Sequence, residues 1–212
     1  MDVSNITVNS NNSVRIDAEG SIIYIDPFEI EGSPKDADYI FLTHDHYDHF
    51  SPDDIAKIVK KDTVFVYPAP MDDKFNKKGF EGNSFTVEPG NTYEVEGLCF
   101  ETVAAYNKLK PFHPKKALWC GYIIDVSGSR IYIAGDTDVT DEAGEVSCDI
   151  ALVLIGGFYT MNYKEAAELI NRIKPKVAIP THYGKVVGKV TYGEDFKKLV
   201  DDSIKVCLKL FN

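Results

Sequence analysis

Three of the five histidines fall in one stretch, Thr43-His44-Asp45-His46-Tyr47-Asp48-His49, with Asp48 between the second and third. Imidazole and carboxylate at this density are the donor set of a transition-metal site. A solvated loop that happens to be rich in histidine is the plain alternative, and the flanks argue against it. Residues 39–42, Tyr-Ile-Phe-Leu, read as a buried strand. Ser51-Pro52-Asp53-Asp54 reads as a helix start, with Ser51 as cap and Pro52 at the first helical position. His44 and His46 are two residues apart, so an extended segment points both rings to one side. Asp48 and His49 follow once the chain has begun to turn, and can face a second ion beside the first.

Two more segments end in metal-competent residues. The run Arg130-Ile131-Tyr132-Ile133-Ala134 leads into Gly135-Asp136-Thr137-Asp138, and Val177-Ala178-Ile179 leads through Pro180 and Thr181 to His182. Strand termini along one edge of a sheet share a rim, so ligands distant in sequence can meet there. Two neighbouring divalent ions need a bridging anion, for which Asp136 is the natural candidate. Taken singly, Asp136 is a turn acid and His182 a polar loop residue; their common placement after apolar runs favours the metal role. Asp26, ahead of Pro27, is either a turn acid or a hydrogen-bond partner for a metal-bound imidazole.

The elements around these residues alternate. Short strands at 6–8, 14–16 and 22–25 form a meander, with turns at 9–12 and Glu19-Gly20-Ser21. A strand, a helix and a strand follow over 39–67. Residues 71–88 give no clear pattern. Strands are expected at 92–95 and 98–104, then a hairpin of 118–126 with 130–134 across Ser127-Gly128-Ser129. Residues 150–155 are apolar throughout, as in a strand buried on both faces. Asn162 and Glu165 form a capping-box pattern, as do Thr191 and Glu194, each opening a helix. Residues 204–210 read as a final strand. The fold class is α/β, with helices layered on strands.

The 212 residues suffice for a sizeable core. A net charge of −10 counts against nucleic acid as a partner, since phosphate backbones call for clustered Lys and Arg. A small-molecule substrate is expected; an anionic one stays open, because bound metal reverses the local sign. The four scattered cysteines suggest a reducing compartment. No basic leader precedes an apolar run and no stretch approaches the ~20 apolar residues of a membrane span. The expected location is cytoplasmic, with oligomeric state left open.

The pattern His-x-His-x-Asp-His at His44, His46, Asp48 and His49, the Gly-Asp-Thr setting of Asp136 and the late His182 resemble the metallo-β-lactamase fold hydrolases. The order of elements resembles that family along essentially the whole chain. The resemblance implies a single-domain four-layer αββα sandwich spanning 1–212. It also implies a metal-dependent hydrolase with a divalent metal cofactor, two zinc ions or else manganese or iron. His44, His46 and Asp136 would hold one ion, and Asp48, His49, Asp136 and His182 the other. Asp48 would also orient the hydroxide that attacks an ester, lactone or phosphoester. Ile25-Asp26-Pro27 and Thr181-His182-Tyr183-Gly184 resemble small hydrolases related to ascorbate-phosphate lactonase and to the phospholipase D that releases N-acyl ethanolamines. One departure stands out. The family supplies a further His between the cluster and the bridging Asp, where this chain has Asn107. Either His113, held extended by Pro114, reaches in from its loop, or that site is weak. Alternatives are a degenerate metal-binding protein without activity, a di-iron redox protein, whose relatives carry Glu where His46 stands, and a nuclease. Tyr106, Phe112, Trp119, Phe158 and Tyr159 are candidates for the substrate wall and equally for the core.

Overall fold

In the computed structural model, which describes residues 2–18 and 20–210, two mixed sheets pack face to face. Met1, Glu19 of the turn noted above, and residues 211–212 lie outside the described residues. The first sheet contains β1 (Ile6–Ser10), β2 (Ser13–Ala18), β3 (Ser21–Ile25) and β4 (Tyr39–Phe41). After helix α1 (Pro52–Ile58) come β5 (Val64–Pro68), the short helix α2 (Asp72–Asn76) and β6 (Asn83–Val87). The strands lie in sequence order, antiparallel from β1 to β3 and parallel from β3 to β6.

The second sheet repeats that plan. β7 (Thr92–Val95), β8 (Leu98–Ala104), β9 (Cys120–Val126) and β10 (Ser129–Ile133) form an antiparallel meander. Parallel strands β11 (Ile150–Leu154), β12 (Val177–Thr181) and β13 (Lys205–Val206) follow, with helices α3 (Tyr163–Ile173) and α4 (Tyr192–Lys197) in the connections. Three apolar layers result. One lies between the sheets, from Ile6 and Val14 across to Tyr122 and Ile179. Another seals α3 and α4 onto the second sheet through Leu169, Ile170 and Phe196. The third seals α1 and α2 onto the first through Ile55, Ile58 and Phe75. This is the four-layer αββα sandwich.

Local chemistry explains most element boundaries. The Ser51 side chain accepts from Asp54 N to start α1, and Asn162 and Glu165 complete their reciprocal capping box at α3. Ser127 and Gly128 both take positive φ (51° and 75°), which suits the tight hairpin turn between β9 and β10. Three expectations change. Thr191 has helical backbone angles and its side chain caps nothing, so α4 begins without its expected box. The final strand shrinks to two residues, paired only with the start of β12. The strand expected from Leu118 starts at Cys120. Residues Lys115–Ala117 form a 3₁₀ turn, and Leu118 takes the left-handed conformation, so Trp119 is free to face the strand ends.

The sheets are tied together next to the histidine cluster. Tyr122 on β9 is fully buried and donates to Leu42 O at 2.7 Å, and Cys120 N donates to Thr43 O at 3.3 Å. Tyr122→Phe leaves that carbonyl without the hydroxyl and is expected to cost about 1–2 kcal/mol, read as a lowered denaturant midpoint at unchanged slope.

Candidate metal centre

All five histidines of the chain converge at the C-terminal ends of β4, β10 and β12. Ligand atoms of His44, His46, His113 and Asp136 lie within 4.8 Å of one another, as do those of Asp48, His49 and His182. Asp136 joins the two groups. Its Oδ2 is 3.2 Å from His113 Nε2 and 4.0 Å from His44 Nε2. Its Oδ1 is 3.2 Å from His49 Nε2 and 3.7 Å from His182 Nε2. Asp48 Oδ2 lies 3.2 Å from His182 Nε2 and 3.6 Å from His49 Nε2. Thus every predicted site residue is brought to one place, His113 included.

Each segment is bent for this purpose. After β4, His49 N and Phe50 N both donate to His46 O, and this turn sends Asp48 and His49 back beside His44. Gly135, with φ +63°, precedes Asp136; a Cβ there would stand 3.1 Å from Cys120 O and 3.2 Å from Thr43 Cβ. His182 itself takes φ +57°, and its N–H donates to Asn11 O. A Cβ on Gly156 would meet His182 O at 2.3 Å, so only glycine fits beside it.

A layer of neutral and acidic side chains fixes the imidazoles. Asp26 is the hydrogen-bond partner, not merely a turn acid. Its Oδ1 accepts from Thr43 N at 2.8 Å, and its Oδ2 accepts from Thr43 Oγ1 at 2.7 Å and from Asn12 Nδ2 at 3.0 Å. The same Oδ2 lies 2.7 Å from His49 Nδ1. A carboxylate can only accept, so His49 Nδ1 holds a proton and Nε2 faces the centre. Thr43 Oγ1, its own proton spent on Asp26, is 3.0 Å from His44 Nδ1 and accepts there. Asn107 Oδ1 accepts from His113 N at 3.1 Å and stands 3.0 Å from His113 Nδ1. Asn11 Nδ2 donates to Asp48 Oδ2 at 2.8 Å.

The donor atoms that face inward suit cations. His49 Nε2, His113 Nε2 and Asp136 Oδ1 are buried and make no hydrogen bond, although His49 and Asp136 approach to 3.2 Å. Buried polar atoms left this way are rare and call for an explanation. Divalent cations provide one, because they bind lone pairs that point at one another. Protonation equilibria agree. Burial pulls His44 well below the ordinary imidazole value, helped by the neighbouring His49, and pulls His46 down as well. Burial opposes charge on His49 too, but Asp136 and Asp26 outweigh it and hold that imidazole well above its ordinary value. Burial would raise Asp136, yet His49 and His182 drive it well below the carboxylate range.

The remaining residues sort by position. Asp45 turns outward to Lys74, and Tyr183 is buried in the outer core. Asp138 accepts from Asn107 Nδ2 at 3.2 Å and pairs with Lys110. Phe112 and Tyr159 line a cavity of about 310 Å³ over the centre, with Tyr47 and Val186. Trp119, the single tryptophan, packs its ring 5.0 Å from His44 and 5.1 Å from His46. Tyr106 points away, donating to Glu142. Asn11, Asn12 and Thr43 escaped the sequence reading. Their signal was faint: the hairpin tip Asn11-Asn12 is fully buried where a turn is normally wet.

Comparison with known proteins agrees with this geometry. The β-lactamase superfamily domain matches residues 5–182. A metal-dependent hydrolase of Pyrococcus abyssi is 35% identical over 201 residues, 87% of each chain. The crystal structure of a metal-dependent hydrolase from Parabacteroides distasonis superposes with a TM-score of 0.81 at 29% identity, covering 98% of this chain and 93% of that one. A metallo hydrolase from Ignicoccus hospitalis shares the fold at a TM-score of 0.76 and 22% identity, over 96% of this chain and 93% of its own. The fold and the histidine-carboxylate cluster define a metallo-β-lactamase-type hydrolase. The chain belongs to that superfamily and is a metal-dependent hydrolase. No helix among the described residues is long and apolar enough to cross a membrane.

Two outcomes follow for the metal-free protein. Below pH about 6.5 the unfolded chain protonates His44 and His46 while the folded chain does not, so stability falls as pH drops. His49 acts oppositely: its folded value is raised, so its contribution is present below about 6.5 and lost as pH rises through that folded value. The melting temperature in chelator is therefore expected to peak near neutrality and decline on both sides. Separately, Asn107→Ala removes the acceptor at His113 Nδ1 and is expected to weaken metal binding about 10–100-fold, followed by Trp119 fluorescence during metal titration.

Proposed function

We propose that the centre holds two divalent cations, zinc in the first instance, and hydrolyses an ester, lactone or phosphoester of a small molecule. His44, His46, His113 and Asp136 would hold one ion; Asp48, His49, His182 and the other oxygen of Asp136 would hold the second. One observation carries the reading: Asp136 presents Oδ2 to one histidine group and Oδ1 to the other, both at 3.2 Å from the nearest ring nitrogen. Bound there, divalent cations acidify water and polarise the oxygen of the scissile group.

The chain's own residues set the conditions. Asp26, Thr43 and Asn107 hold Nδ1 of His49, His44 and His113, leaving each Nε2 directed at the centre. Asp48, kept ionised by His182 and His49 against its burial, can accept a proton from attacking water. For an ester, the water oxygen joins the acyl carbon, the bond to the alkoxy oxygen breaks, and the proton passes to the leaving alcohol. The alternative of a degenerate protein rested on Asn107. With His113 in the ring and Asn107 behind it, that objection loses its force. His46 stands where redox relatives resemble Glu, which disfavours the di-iron reading. The location is proposed to be cytoplasmic.

Elemental analysis of protein purified without chelator is expected to give about two zinc or manganese per chain, with esterase or lactonase activity lost on chelation and restored by metal. His113→Ala is expected to release one of the two ions and lower kcat at least 100-fold. Two equivalents of iron with no hydrolysis of any ester, lactone or phosphodiester would overturn the reading.

A further inference from the structure

The wall beside the centre has a chemical character of its own. Phe112, Tyr159, Tyr47 and Val186 line the cavity with the ligands, and among the described residues no Lys or Arg lines it. Several lysines of neighbouring segments are matched to an acid. Lys110 pairs with Asp138, Lys185 with Glu29, Lys74 with Asp45 at 2.9 Å, and Lys108 with Asp141 at 3.7 Å. Asp138 has further donors in Asn107 Nδ2 and Lys108 N, which hold it in place. A substrate anion beyond the scissile group would find no Lys or Arg in the cavity wall among the described residues.

What the mouth does offer is an aromatic block. Phe112 packs edge-on against Tyr159 at 4.7 Å between ring centroids, Tyr159 against Phe158 at 4.8 Å, and Phe158 against Phe112 at 5.7 Å. Phe158 is nevertheless 71% exposed, and Tyr47, which also lines the cavity, is 66% exposed. Large exposed rings grouped at a cavity mouth are a recognition feature more often than an accident. The block is also fixed relative to the centre. Asn107, whose Oδ1 orients His113, donates from Nδ2 to Tyr159 O at 3.0 Å. One amide thus sets the distance from the aromatic wall to a metal-binding ring.

We propose that the substrate is uncharged outside its scissile group and carries an aryl or comparably flat apolar moiety, which stacks on Phe112, Phe158 and Tyr159. This rests on the hydrolase reading above and narrows it to esters, lactones or phosphodiesters that carry no charge outside the bond cleaved. The cavity of about 310 Å³ limits that moiety to roughly one ring with a short chain, being at the small end of ligand pockets.

Two measurements on the full chain test it. In metal-stripped protein, acetophenone binding is followed by ligand-observed saturation-transfer NMR for the wild type and for Phe158→Ala, a change at an exposed position that leaves the core intact. The dissociation constant is expected to rise about tenfold, the size of one lost ring contact. In zinc-loaded protein, the preference in kcat/KM for phenyl acetate over methyl acetate is expected to fall about tenfold in the variant. Phenyl butyrate is expected to be cleaved at least tenfold faster than the monoanionic phenyl hydrogen succinate. Equal rates on the charged and neutral esters overturn the proposal, as does a Phe158→Ala variant that binds acetophenone like the wild type. So does a wild-type dimer that Phe158→Ala dissociates, since the block is then the interface between two copies. If no ester is cleaved but acetophenone binding still depends on Phe158, the aromatic site stands and the hydrolase reading falls.

Discussion

A single buried carboxylate makes the centre of this protein costly to assemble and hard to replace. Asp136 is almost wholly withdrawn from water, with His113 and His49 each 3.2 Å from one of its oxygens. An isolated charge in such a place is strongly unfavourable unless positive charge and oriented donors surround it. In the metal-free protein His49 supplies that charge, its imidazole raised by Asp136 and Asp26 together. Divalent cations displace the same proton, so affinity for metal and affinity for protons draw on the same electrostatic field. The architecture around Asp136 follows from this need: strand ends from both sheets must reach it at once.

That need explains how the sheets are joined. The first sheet contributes His44 to His49 after β4, and the second contributes Asp136 after β10 and His182 after β12. Neither sheet alone holds either ligand group. Tyr122, Cys120 and Thr43 bridge the two at the base of the site, and Thr181 Oγ1 donates to Asn12 Oδ1 at 2.8 Å across 169 residues of sequence. The Asn11-Asn12 turn therefore has two tasks. It closes the first hairpin; its Asn11 main-chain carbonyl accepts from His182 N, and its side-chain amides donate to Asp48 and Asp26. Amides suit this position because they donate to carboxylates without adding charge to a site already rich in it.

Legibility in the sequence followed the same physics. Most strands and both capped helices α1 and α3 were readable because burial imposes periodicity over several residues; α2 and β6, within the patternless 71–88, were not, and the four-layer order was implied by the resemblance. The candidate ligands were readable because metal chemistry limits donor types, so His44, His46, Asp48, His49, Asp136 and His182 announce themselves by identity. The supporting layer was not. Asn11, Asn12 and Thr43 act through side-chain hydrogen bonds that no sequence pattern marks, and a turn asparagine looks the same whether wet or buried. Thr191 failed in the opposite way: its capping pattern is present, but helical backbone angles at that residue remove the geometry a cap needs.

Asn107 shows why a departure from a pattern is best read with its neighbours. At the place where the family pattern calls for histidine, the chain has an amide that cannot bind a cation strongly, and the sequence alone leaves two readings: His113 reaches in from its loop, or the site is weak. In the structure Asn107 N donates to His113 O at 2.7 Å while Asn107 Oδ1 takes both His113 N and Nδ1. A compact loop is closed by three hydrogen bonds between two residues six apart. The imidazole reaches Asp136 from this loop, and the amide is its anchor. Because the same amide also donates to Tyr159 O, it links the His113 ring to the aromatic wall.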